Sequence, residues 1–249
     1  MKNKLGQNFL TDENVALREI EYANVNKNDV VLEIGPGKGI LTRILAEKAK
    51  KVIAIELDKK LVSYLQNILH DNVVLINDDV LNVDFKSLPC FNKIVSNLPY
   101  QISSPLTFKL FDYDFDLAVM IYQKEFADRM VAKPGCKDYS RLSVGVYYKA
   151  FCEILENVSK TCFMPQPKVD SCIVKLIPHD NPPFFVEDER FFFDLVKDLF
   201  NHRRKKIRNT LQSLYDLDNV DINFLDSRVE DLTPEQIGEI SNTLYALIN

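Results

Sequence analysis

The stretch VVLEIGPGKGILTRILAEKAKKVIAIEL, residues 30–57, decides the fold. It opens on VVLEI, an apolar run broken only by Glu33, and closes on a second apolar run, KVIAIEL. Short Val- and Ile-rich runs of this kind are buried strands, and ILTRILAEKA between them repeats its apolar residues at helical spacing. Strand, helix and strand in so few residues make one βαβ unit, whose two strands run parallel. The turn that leads into the helix is GPGKG, residues 35–39. Glycines there let the backbone approach a ligand closely, and the helix N-terminus behind them favours negative charge. By itself the turn decides little. A tight connection needs the same residues, and the spacing departs from the dinucleotide fingerprint G-x-G-x-x-G.

Outward from this unit the same grammar continues. DENVALREIEYA (12–23) has helical spacing with Asp12 placed to cap it, and a further helix is predicted from about Lys59 to Leu69. VVLIN (73–77), KIVSN (93–97) and DLAVMIY (116–122) read as strands, and PLTFKLFD (105–112) as a helix. Continuous apolar strands alternating with helices predict a mostly parallel sheet covered on both faces. After Tyr139 the pattern changes. EILENVSKTCF (153–163) and SCIVKLI (171–177) predict two strands joined through the Pro-rich MPQPKVD, a hairpin at the sheet edge. PHDNPPF (178–184) breaks the rhythm, and the chain is predicted helical from there to Asn249. The expected organisation is an α/β domain over residues 1–178 and a small all-helical domain over 179–249, without repeats or low-complexity runs.

A chain of 249 residues, 46% hydrophobic and 27% charged, can bury a large core with a small one beside it. The formal net charge of −5 supplies no global basic field, so a nucleic-acid partner would need a local patch. The five cysteines form no C-x-x-C pair and, with three histidines, show no metal-ligand spacing. No metal is expected, and the thiols read as small core residues in a reducing compartment. MKNKLGQNFL lacks the apolar region of a signal peptide, and no apolar run approaches the roughly 20 residues of a membrane span. The expected setting is cytoplasmic, away from membranes.

Three ligand-capable groups fall at the carboxyl ends of successive strands. The GPGKG turn follows residues 30–34, Glu56 ends the strand 51–57, and Asp79 closes the strand 73–77. Each alone is better read as a turn, a solvated strand end or a helix cap. Together they mark the crevice where open α/β sheets bind nucleosides. A carboxylate at Glu56 can accept both ribose hydroxyls of either NAD or S-adenosylmethionine, and one at Asp79 can accept an adenine amino group. Hydride transfer and methyl transfer therefore compete, and NLPYQISSP (97–105) favours the second. The Asn97 side-chain oxygen and the Leu98 carbonyl can accept both hydrogens of an exocyclic amine at the rigid turn set by Pro99. Tyr100 can stack on the ring that carries the amine. Such a pocket suits an adenine base and offers nothing to a nicotinamide.

LGQNFL (5–10), EIGPGKGILT (33–42), AIELD (54–58), NDDVL (77–81), NLPYQISSP (97–105) and FMPQPKVDS (163–171) resemble, in this order, the KsgA-type rRNA adenine N6-dimethyltransferases. The likeness covers nearly all of residues 4–178 and continues weakly through HRRKKIRNTL (202–211). The wording of QISSPLTFKL and YQKEFADRMVAKPG is closer to the archaeal and eukaryotic branch. The resemblance implies a Rossmann-like class I methyltransferase domain with a helical C-terminal domain. It implies an enzyme that dimethylates two adjacent adenosines near the 3′ end of small-subunit rRNA, acting on the immature small ribosomal subunit; the chain is expected to be monomeric. By motif, Asn8 and Leu10 would cover the methionine end of S-adenosylmethionine. Gly35 and Gly37 would line the loop, Glu56 would hold the ribose, Asp79 the cofactor adenine, and Asn97 would stand between cofactor and target.

Around this centre, Phe163 is expected either as a second aromatic face for the base or as a core residue under the hairpin. Lys168 is expected to meet a phosphate, and Tyr139 and Arg141 either face RNA or close a loop. Phe200, Ile207, Leu211 and Leu214 fall on one helical stripe, which leaves Arg204, Lys205 and Arg208 along a flank free for RNA phosphates. The competing readings are a DNA adenine methyltransferase, a large-subunit rRNA methyltransferase of the resistance type, an assembly factor whose binding outweighs its chemistry and, more distantly, an NAD oxidoreductase.

Overall fold

The structure is a computed structural model that describes residues 7–215 and 222–248. The chain forms two compact units, one running to Ala127 and including Phe151–Pro178, the other made of Asp128–Ala150 and the chain from His179 onward. Each has its own buried cluster.

The first unit is built on a seven-stranded sheet. In chain order its strands are β2 (Val30–Ile34), β3 (Lys51–Glu56), β4 (Val73–Asn77), β5 (Lys93–Asn97), β6 (Leu117–Gln123), β7 (Ala150–Val158) and β9 (Ser171–Pro178). Their spatial order is β4-β3-β2-β5-β6-β9-β7. The first five are parallel, and β9 runs antiparallel to β6. The order reverses between β2 and β5, which sets a topological switch point there. Helices α1 (Glu13–Tyr22), α2 (Ile40–Lys48), α3 (Lys59–Leu65) and α4 (Ser103–Leu110) belong to this unit. Asp12 caps α1 as expected, its carboxylate accepting from Asn14 N at 2.9 Å. Helix α3 stops four residues short of its expected end, because residues 66–68 turn tightly, with i→i+3 bonds from Asn67 N–H to Tyr64 O and Ile68 N–H to Leu65 O.

A second sheet pairs β1 (Phe9–Leu10) with β8 (Phe163–Met164), antiparallel. The strand expected over 153–163 is therefore two pieces, β7 and β8, separated by a 3-10 turn at Lys160–Cys162. Leu5 and Gly6 of LGQNFL lie outside the described residues.

The second unit is helical. Its segments are α6 (Arg141–Lys149), α7 (Glu189–Asn201), α8 (Ile207–Leu211) and α9 (Pro234–Ile248); α5 (Lys124–Met130) crosses from the first unit into it. The sequence places residues 128–150 in the first domain, whereas here they cluster with the C-terminal helices. The reason is packing: Val144 and Tyr148 of α6 are buried with Phe192, Leu195 and Leu199 of α7. Helix α9 starts with Pro234 at its first turn, and Thr233 and Gln236 cap each other's backbone N–H groups. The expected single stripe from Phe200 to Leu214 is broken, since α7 ends at Asn201 and residues 202–206 turn. Ile207 and Leu211 are buried as expected, but Leu214 is 46% exposed. The expectation of helix to Asn249 extends over residues 216–221 and 249, which lie outside the described residues.

Candidate active site

Four loops meet at the carboxyl ends of the parallel strands, and the sheet itself opens to admit them. The backbone ladder between β2 and β5 ends at Leu32 and Ile94. Beyond it the Ser96 hydroxyl takes the place of a strand neighbour, donating to Ile34 O and accepting from Ile34 N. A buried hydroxyl thus satisfies a buried peptide group while the two strands separate. Gly35 and Asn97 follow directly, on either side of the gap.

Residues 35–37 wind back over this gap. Gly35 has φ +70° and Gly37 φ +58°, the left-handed region that favours glycine. A Cβ on Gly37 would lie 2.8 Å from the Phe9 ring, and one on Gly35 would lie 3.3 Å from the Pro99 ring. The glycines therefore let two neighbouring segments close on the turn. Gly37 N–H also donates to Glu56 Oε2 at 3.2 Å, and Asp58 N–H donates to Glu56 Oε1 at 2.9 Å. Glu56 is only 3% exposed, and burial holds its pKa above the ordinary carboxylate value against the pull of these backbone donors.

Two cavities share this floor. One, of about 60 Å³, is lined by Asn8, Leu10, Gly35, Gly37, Glu33, Glu56 and Asn97–Tyr100. The other, of about 260 Å³, is lined by Gly35, Glu56, Leu57, Asp78, Asp79 and Val80 among others. Asp79 behaves as a turn residue through Oδ1, which accepts from Leu81 N at 3.0 Å, and it also lines the second cavity. Lys109 of α4 holds that loop from behind, its ammonium donating to Leu81 O at 2.8 Å and to Val83 O at 2.6 Å. The structure thus brings together Asn8, Leu10, Gly35, Gly37, Glu56, Asp79, Asn97, Leu98, Pro99 and Tyr100 around one crevice.

Sequence reasoning passed over Glu33, which lines the smaller cavity. It is 2% exposed, its Oε2 has no hydrogen-bond partner among the described residues, and burial pushes its pKa up to about 8 with the Glu56 carboxylate adding to the rise. A charged residue inside an otherwise apolar strand was the available signal. Asn97 is half-buried and its carboxamide makes no hydrogen bond among the described residues, so its polar atoms are available at the crevice. The Tyr100 hydroxyl lies 2.8 Å from Ser171 Oγ, and Ser171 is fully buried.

Other expected residues fall elsewhere. Phe163 is 3% exposed in the core cluster with Leu10, its partner across the β1–β8 pair, and lines neither cavity. Of its two expected places the structure gives it the core one. Tyr139 is buried in the second unit, its hydroxyl donating to Leu232 O at 2.9 Å, so it closes a loop there. Arg141 is exposed. Lys168 is exposed beside Tyr100 on the loop after β8. In the basic segment Arg203 is consumed internally, donating to Glu230, Lys137 O and Cys136 O. Arg208 is not free as expected, since it pairs with Asp226 at 3.4 Å, which also pairs with Lys206. Arg204 and Lys205 are exposed without an ion pair among the described residues. No group of three or more metal-capable side chains, and no helix long and apolar enough to cross a membrane, occurs among the described residues.

A doubly wound α/β unit with a buried carboxylate ending its second parallel strand, and an amide ending its fourth without a partner among the described residues, defines a Rossmann-like methyltransferase fold with a nucleoside crevice. The chain belongs to the ribosomal RNA adenine dimethylase family, whose model matches residues 1–246. It is 47% identical to a probable ribosomal RNA small subunit methyltransferase A of Methanococcus aeolicus, over 99% of this chain and 97% of that one. Among solved structures it is similar to a dimethyladenosine transferase from Plasmodium falciparum, with TM-score 0.79, 30% identity, and 93% and 95% of the two chains covered. It is also similar to the 23S rRNA methyltransferase ErmE, with TM-score 0.68, 28% identity, and 96% and 100% covered.

Proposed function

We propose that the protein transfers methyl groups from S-adenosylmethionine to N6 of two adjacent adenosines near the 3′ end of small-subunit rRNA, acting as a cytoplasmic monomer on the immature small ribosomal subunit. The observation that carries this reading is the Asn97 carboxamide, without a partner among the described residues, beside the buried Glu56 at one crevice. The crevice suits the cofactor: the Glu33 Oε2 is a buried polar atom with no partner among the described residues, and a turn built on glycines lets the backbone approach a bound group closely. In this reading Glu56 holds the ribose hydroxyls, Asp79 the adenine amine, and Asn8, Leu10, Gly35 and Gly37 enclose the rest. When bound, S-adenosylmethionine supplies an electrophilic methyl group.

The protein's own part is positioning and electrostatics. The N6 lone pair of adenine is delocalised into the ring, so the amine is a poor nucleophile. Two acceptors, the Asn97 side-chain oxygen and the Leu98 carbonyl, favour a pyramidal nitrogen with its lone pair directed at the methyl group. Tyr100 stacks on the base, and Pro99 fixes the turn that presents all three. No general base is required before transfer, since the methylated cationic amine is acidic and loses its proton afterwards. After one methylation the amine keeps a single hydrogen, and one acceptor goes unused in the second transfer. Lys168, Arg204, Lys205 and Arg208 are assigned to RNA phosphates.

Labelled methyl transfer from S-adenosylmethionine to immature small subunits, followed by nucleoside analysis, tests this directly. Dimethyladenosine in small-subunit rRNA is the expected product. Label confined to large-subunit rRNA or to duplex DNA would replace the reading with one of its competitors.

A further inference from the structure

A third cavity, of about 450 Å³, adjoins the crevice and shares Asn8 and Tyr100 with its first cavity. Its volume lies within the roughly 300–1,000 Å³ usual for ligand sites. Its lining differs in kind from the other two. Glu33 and Glu56 line the first cavity, and Glu56, Asp78 and Asp79 the second, whereas the third has no carboxylate at all. In a chain with 36 acidic and 31 basic residues, that separation of charge distinguishes the surfaces. With Gln7 and Asn8, the third cavity presents the carboxamides of Gln123, Gln166 and Gln101, the last shared with the second cavity, and a single cation, Lys168. None of these three carboxamides is engaged by another described residue.

The walls are held from behind. Gln123 ends β6 opposite the buried Ser171 of β9, the residue whose hydroxyl meets Tyr100. The loop carrying Gln166 and Lys168 is anchored by Phe163 in the core on one side and by Pro167, which is itself buried. Asp170, just beyond, accepts from Lys160 N at 2.9 Å. Neutral amides offering a donor and an acceptor side by side match the edge of an adenine base. A cation without neighbouring carboxylates suits the phosphate that joins one nucleotide to the next.

We infer that this amide-lined cavity is a subsite for the nucleotide adjoining the target adenosine, an unpaired adenine read by Gln101 and Gln123 with its linking phosphate at Lys168. The inference rests on the functional reading above and deepens it. The RNA enters as two splayed bases, one at Asn97 and one among the glutamines. A protein that must act on two neighbouring adenosines then holds the second while the first is at the methyl-transfer position.

The test uses the full chain saturated with S-adenosylhomocysteine and three probes: 5′-phosphorylated diadenosine, and the two versions of it in which one or the other base is removed. Affinities are read by calorimetry. The wild-type protein should bind the intact probe more tightly than either abasic one, by about 5- to 150-fold for a bidentate amide contact. Gln101→Leu with Gln123→Leu should bring the intact probe down to the level of one abasic probe. Gln123→Glu, which keeps the shape but places a charge beside the phosphate, should act in the same direction. A cooperative thermal transition near that of the wild type certifies that the variants are folded, since Gln101 also lines the second cavity. A wild-type protein indifferent to the second base, or variants as discriminating as wild type, would overturn the subsite. Methyl transfer to immature small subunits is measured in parallel; if it proceeds while the probes show no second-base preference, the subsite falls and the functional reading stands.

Discussion

Two charged regions of this molecule are built on opposite principles. At the strand ends Glu56 is 3% exposed and both its carboxylate oxygens accept backbone N–H groups. In the helical unit Arg204 and Lys205 project from the turn after α7 with no ion pair among the described residues, while Arg203 and Arg208 are held internally. The first region has its geometry before any ligand arrives, so a substitution there should act sharply on one step. The second offers charge without fixed geometry, and its contribution should be graded and screened by salt.

The sharpest effect belongs to Asn97. Replacing it with alanine removes a preorganised acceptor from the point of transfer, and such losses cost about 10²–10³ in rate. Cofactor affinity should stay nearly unchanged. Single-turnover methylation beside a calorimetric titration separates the two, and a variant that loses both equally would place Asn97 in cofactor binding alone. Glu56→Ala should do the reverse. Hydrogen bonds to a charged group are worth about 1.5–3 kcal/mol, so cofactor affinity should fall about tenfold or more. An unaltered Kd in a folded Glu56→Ala protein would remove this carboxylate from the site.

Tyr100 lies between these cases. Its hydroxyl meets the buried Ser171, and a neutral hydrogen bond contributes only about 0.5–1.5 kcal/mol, whereas stacking on a base contributes about 1–3 kcal/mol. Tyr100→Phe should therefore keep most methyl-transfer activity and Tyr100→Ala should not. Equal losses in the two variants would show that the ring matters only as a carrier of its hydroxyl.

Much of the first region was legible because its information is local. Strand ends are fixed by apolar runs, and the residues just beyond them, Gly35, Glu56, Asp79 and Asn97, are carried to one edge by the parallel topology. What could not be read depended on distant partners. The β1–β8 pair joins two strands of two residues each, too short for any periodicity, across well over half the chain. Helix α6 carries Gly145 between Val144 and Val146, a poor helical sequence, and forms because that face packs against α7. Arg208 belonged to a charge run on paper, yet Asp226 is its partner only after the chain has turned back.

The buried carboxyl that sequence reasoning passed over gives a prediction with a definite sign. Glu33 ionises near 4.5 when exposed, but burial in the folded protein raises its pKa to about 8. Between those values the folded protein keeps a proton that the unfolded chain has lost, so stability should fall as pH rises from about 5 to 8. Burial raises Glu19 in the same direction, with Glu33 adding to it. Glu33→Gln should flatten, but not abolish, the decline of Tm over that range. A decline as steep as in wild type would mean that Glu33 is ionised in the folded protein.

The smallest effect, and the one that tests the other half of the comparison, concerns the basic turn. If Arg204 and Lys205 meet single-stranded RNA, changing both to glutamine should shrink the slope of log K against log salt by about 0.7 for each phosphate no longer neutralised. Cofactor affinity should not move, since neither residue lines the crevice. Arg208→Gln should change the slope less, because Asp226 at 3.4 Å already offsets its charge and remains paired with Lys206. A competitor strand titrated at several salt concentrations measures all three proteins. If the double variant kept the wild-type slope while Arg208→Gln reduced it, the charge that matters would be the paired one, and the exposed pair would be only a solvated surface.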